Sequence, residues 1–96
     1  MTTKTDAGAM RWEKLKETFR TEAGNMEQAA GEKIVEIRTP SDYEMTVVHK
    51  KTFKRLLLTY TTGMGLRIED SAGRVRFEQI PDFVPSLTVD LLQSLS

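Results

Sequence analysis

Apolar residues change their spacing once along this chain, and that change decides what it can fold into. Trp12, Leu15, Phe19, Ala23, Met26 and Ala30 recur every three or four residues, the period of one helix face. From Lys33 to Ile80 the apolar positions alternate with charged ones, the period of strands. A sheet with one apolar face needs a cover, and a helix with a matching stripe supplies it. The expected architecture is an α+β two-layer sandwich. It has an N-terminal helix, an antiparallel meander of about five strands and a short C-terminal helix, with both helices on one face of the sheet.

The first helix is expected from near Asp6 or Gly8 to Ala30, with Gly31 placed as a left-handed stop. Its polar side mixes Arg11, Glu13, Lys14, Lys16, Glu17, Arg20, Glu22 and Glu27, which reads as a solvated face. Strands are expected near 33–38, 43–48, 53–60, 64–69 and 74–79, broken at Pro40, at Gly63 and Gly65, and at Gly73. Connections this short require antiparallel pairing. A turn over His49 to Thr52 pairs Met45 with Leu56 and Tyr43 with Leu58 inside. It sets Val48 against Phe53, Thr46 against Arg55 and Glu44 against Leu57 outside. A turn over Asp70 to Gly73 buries the pairs Ile68 with Val75 and Leu66 with Phe77. That leaves Arg67, Glu69, Arg74, Arg76 and Glu78 outside, with Arg67 facing Arg76 and Glu69 and Glu78 on the diagonals. Pro81 and Pro85 bracket a connector in which Phe83 and Val84 plug one end of the core. Thr88 then reads as the cap of the last helix, with a staple from Leu87 to Leu92 and with Leu91, Leu92 and Leu95 inward.

A chain of 96 residues with 39% hydrophobic content has one modest core, so residues 9–96 read as a single domain after a flexible stretch over 1–8. Fourteen basic residues balance fourteen acidic ones, which leaves no global field to draw the chain onto nucleic acid or anionic lipid. The absence of cysteine excludes disulfides, thiolate zinc sites and a cysteine nucleophile. It also fits a reducing compartment, so a cytoplasmic location is expected. No segment approaches the roughly 20 apolar residues of a membrane helix.

Signatures of catalysis are lacking. His49 is the sole histidine and is expected at an exposed turn tip, with no sequence pattern supplying the oriented partner that acid–base chemistry needs. Thr61, Thr62, Gly63, Met64 and Gly65 lack the lysine and the following helix of a phosphate loop, and read as a hairpin turn. Asp70 to Gly73 has too few oxygen ligands for calcium. Neither cofactor nor metal is expected, and the protein reads as a non-enzyme.

Two surface features remain. His49, Lys50, Lys51, Lys54 and Arg55 surround Phe53, a basic hairpin with the elements of an anion or nucleic-acid contact. Ile34, Val48, Phe53 and Leu57 are expected on the face away from the helices, where a one-sided sheet should be polar, and together they read as an association surface. The function expected is a small non-catalytic interaction or accessory domain. Its partner class is another protein or a second copy of itself, in preference to nucleic acid or membrane. Anion or nucleic-acid binding by the basic hairpin is the alternative, and a small-ligand pocket between helix and sheet comes third. The order helix, five antiparallel strands, helix resembles the frataxin-like arrangement and other small two-layer domains such as kinase-associated regulatory modules. A frataxin's first helix is expected to present an acidic surface for iron. Here Arg11, Lys14, Lys16 and Arg20 interleave with the glutamates, so the resemblance implies no iron ligands.

Overall fold

A computed structural model describes residues 7–61, 65–81 and 83–95. Helix α1 spans Ala7–Ala30 and ends at Gly31, whose φ is +73° and whose N–H donates to the Glu27 carbonyl at 2.9 Å. Asp6 and most of the stretch expected to be flexible lie outside the described residues; Ala7 and Gly8 already open the helix. Five strands follow, β1 (Val35–Ser41), β2 (Glu44–His49), β3 (Arg55–Thr61), β4 (Gly65–Asp70) and β5 (Val75–Glu78), and then α2 (Val84–Ser94). The sheet order is β1-β2-β3-β4-β5, antiparallel throughout, so the meander and the two-layer α+β architecture stand as expected.

Trp12, Leu15, Phe19 and Ala23 of α1 pack with Val84, Leu87, Leu91 and Leu92 of α2 and with the inward sheet residues Met45, Val47, Leu56, Leu58, Leu66 and Ile68. Met26 is half-buried against the same core. The Trp12 indole is held at both ends. Its ring stacks on Tyr60 with centroids 6.0 Å apart, and its N–H donates to the Asp42 carbonyl at 2.7 Å. Lys16, expected on the solvated face, is instead buried. Its ammonium lies 5.7 Å from the Trp12 ring centroid, donates to the same Asp42 carbonyl at 3.2 Å and pairs with Glu13 at 2.9 Å. The long methylene stem covers the indole while the charge finds partners.

Both tested hairpin registers differ from expectation, with different consequences. Between β2 and β3 Met45 faces Leu58, Thr46 faces Leu57 and Val48 faces Arg55, a slip of two residues. Because side chains alternate with a period of two, each keeps its face. The loop is Lys50 to Phe53, closed by a bond from His49 N–H to the Lys54 carbonyl at 2.8 Å, and Phe53 takes φ +62° at its end. Phe53 therefore stands in a turn, 81% exposed, and not in a strand opposite Val48. Tyr43 falls in the turn before β2, exposed, with its ring 6.0 Å from that of Tyr60.

Between β4 and β5 the slip is one residue: Ile68 faces Arg76 and Leu66 faces Glu78. An odd slip exchanges the faces. Val75 and Phe77, expected in the core, lie outside with 42% and 59% exposure, while Arg74, Arg76 and Glu78 take the helix side. Arg67 faces Phe77, so the opposed arginine pair does not form. Turn chemistry accounts for the choice. Asp70 accepts through Oδ1 from the N–H groups of Ala72 at 2.9 Å and Arg74 at 3.0 Å, and Gly73 supplies φ +84°, which makes a three-residue loop with a left-handed last position.

Helix α2 begins four residues before the expected cap. Phe83 holds the cap position with Pro85 in the first turn, where its missing N–H costs nothing. Thr88 is buried inside the helix and donates to the Val84 carbonyl at 3.2 Å. The connector divides: Val84 enters the core and Phe83 is exposed. Leu91, Leu92 and Leu95 are buried as expected.

Candidate functional site

Of the expected association surface, two residues share the outer face. Val48 and Leu57 are half-buried there and lie on a diagonal, since Val48 faces Arg55 and Leu57 faces Thr46. Ile34, just before β1, is half-buried and packs against the core, and Phe53 stands in the turn. The contiguous patch of four is not formed. In its place the outer face carries Leu57, Glu69 and Val75 in one cross-strand row, with Thr59, Arg67 and Phe77 in the next.

His49 does not stand at an exposed tip. It is 7% exposed at the end of β2, and its Nδ1 accepts from the N–H groups of Lys51 at 3.2 Å and Thr52 at 3.1 Å. The imidazole thus does for this loop what the Asp70 carboxylate does for the next: it satisfies two backbone donors and fixes the turn. A histidine followed by a charged four-residue loop is the signal that marks this role, and it is a structural one. The basic residues of the hairpin diverge. Lys51 pairs with Glu32 at 3.1 Å, Lys50 is exposed beside it, Arg55 belongs to the outer face, and strand alternation sends Lys54 to the helix side.

Lys54 instead joins residues from another hairpin. A cleft of about 520 Å³ lies between the β2–β3 loop, the β4–β5 turn and the C-terminal end of α2. Leu56 and Ile68 line it, and the charged side chains on this face are Lys54, Arg74, Arg76 and the single carboxylate of Asp70. Arg74 approaches Asp70 at 3.5 Å and Arg76 approaches Glu78 at 3.4 Å. The Thr52 hydroxyl donates to the Leu95 carbonyl at 2.6 Å and ties the loop to the helix end. The one-residue slip of β5 is what brings Arg74 and Arg76 to this side, so no reading that kept Val75 and Phe77 in the core can find the cleft.

The other consequence of that slip is an open strand. Among the described residues only β4 makes extensive contact with β5. The Asp70 N–H donates to the Arg74 carbonyl at 2.9 Å, which makes Asp70 and Arg74 a hydrogen-bonded pair. Antiparallel ladders alternate bonded and non-bonded pairs, so Arg74, Arg76 and Glu78 turn their backbone groups to β4. Val75 and Phe77 turn theirs to the free edge. Along one short strand, outward N–H and C=O groups coincide with exposed apolar side chains.

Among the described residues no group of histidines and carboxylates is arranged to hold a metal ion, and no helix is long and apolar enough to cross a membrane. Comparison with protein-family models, curated proteins and solved structures finds no match to this chain, and the likeness to the frataxin-like arrangement rests on element order alone.

Proposed function

We propose that this protein is a non-catalytic interaction module that binds an extended polypeptide strand along β5. The observation that carries this reading is the coincidence at Val75 and Phe77 of outward-facing backbone groups with 42% and 59% exposed apolar side chains. Strand addition uses both: main-chain bonds give affinity and alternate side chains give specificity. An incoming antiparallel strand is expected to place apolar residues beside Val75 and Phe77, acidic ones beside Arg74 and Arg76, and a basic one beside Glu78.

A capped peptide carrying Lys-Val-Glu-Val-Glu between threonines meets that pattern. Titrated into labelled protein, it should shift and protect the Val75 and Phe77 amides, whereas a peptide with its charged and apolar positions exchanged should not. Absence of any shift along β5, or equal shifts along β1, overturns the reading.

A second reading, anion binding, is favoured by Lys54, Arg74 and Arg76 beside the cleft against one carboxylate. Inorganic polyphosphate is its probe. Salt-sensitive binding that weakens in Lys54→Ala and Arg74→Ala supports it; retention of binding in both variants rejects it.

A further inference from the structure

We infer, independently of β5, that one pole of the molecule docks on an anionic membrane surface, with Phe53 entering the lipid boundary and the lysines and arginines around it meeting the headgroups. Antiparallel pairing brings the α1–β1 connection, the β2–β3 loop and the β4–β5 turn to the same end of the sheet, and the Thr52 bond to the Leu95 carbonyl places the end of α2 there too. Over residues 31–34, 50–55 and 70–74 this pole carries Lys33, Lys50, Lys51, Lys54, Arg55 and Arg74, all exposed, against the carboxylates of Glu32 and Asp70. The balance of charge over the whole chain conceals this excess. Lys51 pairs with Glu32 at 3.1 Å and Arg74 with Asp70 at 3.5 Å, so both acidic groups are neutralised within the pole.

Phe53 stands among these charges and is held outward. Its φ of +62° lies in a region that large L-residues rarely adopt, and 81% of its surface is exposed, so the ring recovers no burial for the strain. Glycine or asparagine would serve the turn better. The exposure is not a matter of slack chain: the His49 imidazole accepts from the Lys51 and Thr52 N–H groups, and the Phe53 N–H donates to the His49 carbonyl at 2.9 Å. A fixed loop that presents an aromatic at a cost to the free protein is the pattern of a residue that acts on a partner. The placement of the cations selects that partner. Strand alternation sends Lys54 and Arg55 to opposite faces of the sheet, and Arg74 belongs to another hairpin, so the charges lie around the loop and not along one track. A single-stranded nucleic acid needs its phosphate contacts along a track beside the stacked base. A bilayer lies across the whole pole and meets all of these cations at once, each adding to the attraction while the apolar ring leaves water.

Co-sedimentation with vesicles tests the inference. Vesicles of equal parts phosphatidylserine and phosphatidylcholine should carry the protein down at low salt, vesicles of phosphatidylcholine alone should not, and added salt should release it. Phe53→Asn should weaken binding about tenfold while leaving thermal stability equal or higher, because asparagine accepts the left-handed backbone. A merely structural Phe53 would lower stability and leave vesicle binding by the folded fraction unchanged. The double change Lys33→Gln with Lys50→Gln removes two charges and should weaken binding by about tenfold or more. Phe53→Trp should keep binding, and its emission should move to the blue on the anionic vesicles, since Trp12 is already fully buried and contributes no change. Absence of binding to the anionic vesicles, full binding by Phe53→Asn, or a Phe53→Trp emission that does not move overturns the inference. If a single-stranded oligothymidylate, added at equal negative charge, strips the protein from the vesicles, the bilayer is rejected in favour of nucleic acid.

Discussion

The two edges of this sheet are guarded by different devices. At β1 the chain bulges between Arg38 and Ser41, Pro40 sits within the strand, α1 packs against its start, and Ile37 is half-buried in contact with the core. At β5 there is neither proline nor bulge, and Val75 and Phe77 stand exposed. Proline, bulges and a covering helix are the devices by which sheets discourage further pairing. Those particular devices are confined to β1, and the exposed apolar strand residues Val75 and Phe77 lie at β5. β5 is guarded by other means: it is only four residues long and Arg76 and Glu78 point to the helix face, while its outer face keeps Val75 and Phe77.

The largest effect expected in this molecule belongs to the core that both edges share. Leu58 is fully buried at the centre of β3, and Leu58→Ala should cost about 2–5 kcal/mol in denaturant unfolding. A loss below about 0.5 kcal/mol, the size expected of a surface change, would show that the sheet is not packed as described. Both edges would then lose their common reference.

Helix α1, the strand order and the inward face of β2, β3 and β4 were legible because in each the apolar spacing and the turn signals agree. Where they conflict, at β5, the apolar pattern pointed to Val75 and Phe77 inside and the turn residues Asp70 and Gly73 pointed to a three-residue loop. The turn prevailed. The Asp70 carboxylate satisfies two backbone donors at once and Gly73 supplies the left-handed position of the loop. At the β2–β3 turn the misplaced register did no harm, since a slip of two conserves faces. What was missed there is the His49 imidazole acting as a backbone acceptor, a role that histidine shares with aspartate but advertises less. Lys16 was missed for another reason: helix periodicity places its stem near Trp12 without revealing the Asp42 carbonyl that receives its charge.

An intermediate effect separates the edges. Gly65 takes φ +92°, and a Cβ there would lie 2.7 Å from the Glu78 carbonyl oxygen, which is backbone and cannot step aside cheaply. Gly65→Ala should therefore cost about 1–3 kcal/mol and should act on β5 before β1, because it is the β4–β5 contact that must open. Hydrogen exchange checks the order. Faster exchange of the Arg76 and Glu78 amides with unchanged β1 amides is the expected result; uniform acceleration would mean that β5 is no more separable from the sheet than β1.

The smallest effect is the sharpest test of the contrast, because it compares one kind of substitution at the two edges. Ile37 contacts the core from β1, so Ile37→Thr buries a hydroxyl in place of a methyl-bearing chain and should cost about 1 kcal/mol or more. Phe77 has 59% of its surface in water, so Phe77→Thr should change the stability of the isolated chain by no more than about 0.5 kcal/mol, threonine being a good strand residue. Both must be measured in dilute protein, where association adds nothing to apparent stability. With the charge-matched peptide present, wild type should gain stability while Phe77→Thr gains less, since the docked strand lies beside the aromatic. A large loss from Phe77→Thr in dilute solution would return Phe77 to the core, restore the four-residue turn at Asp70 to Gly73, and remove the open edge altogether.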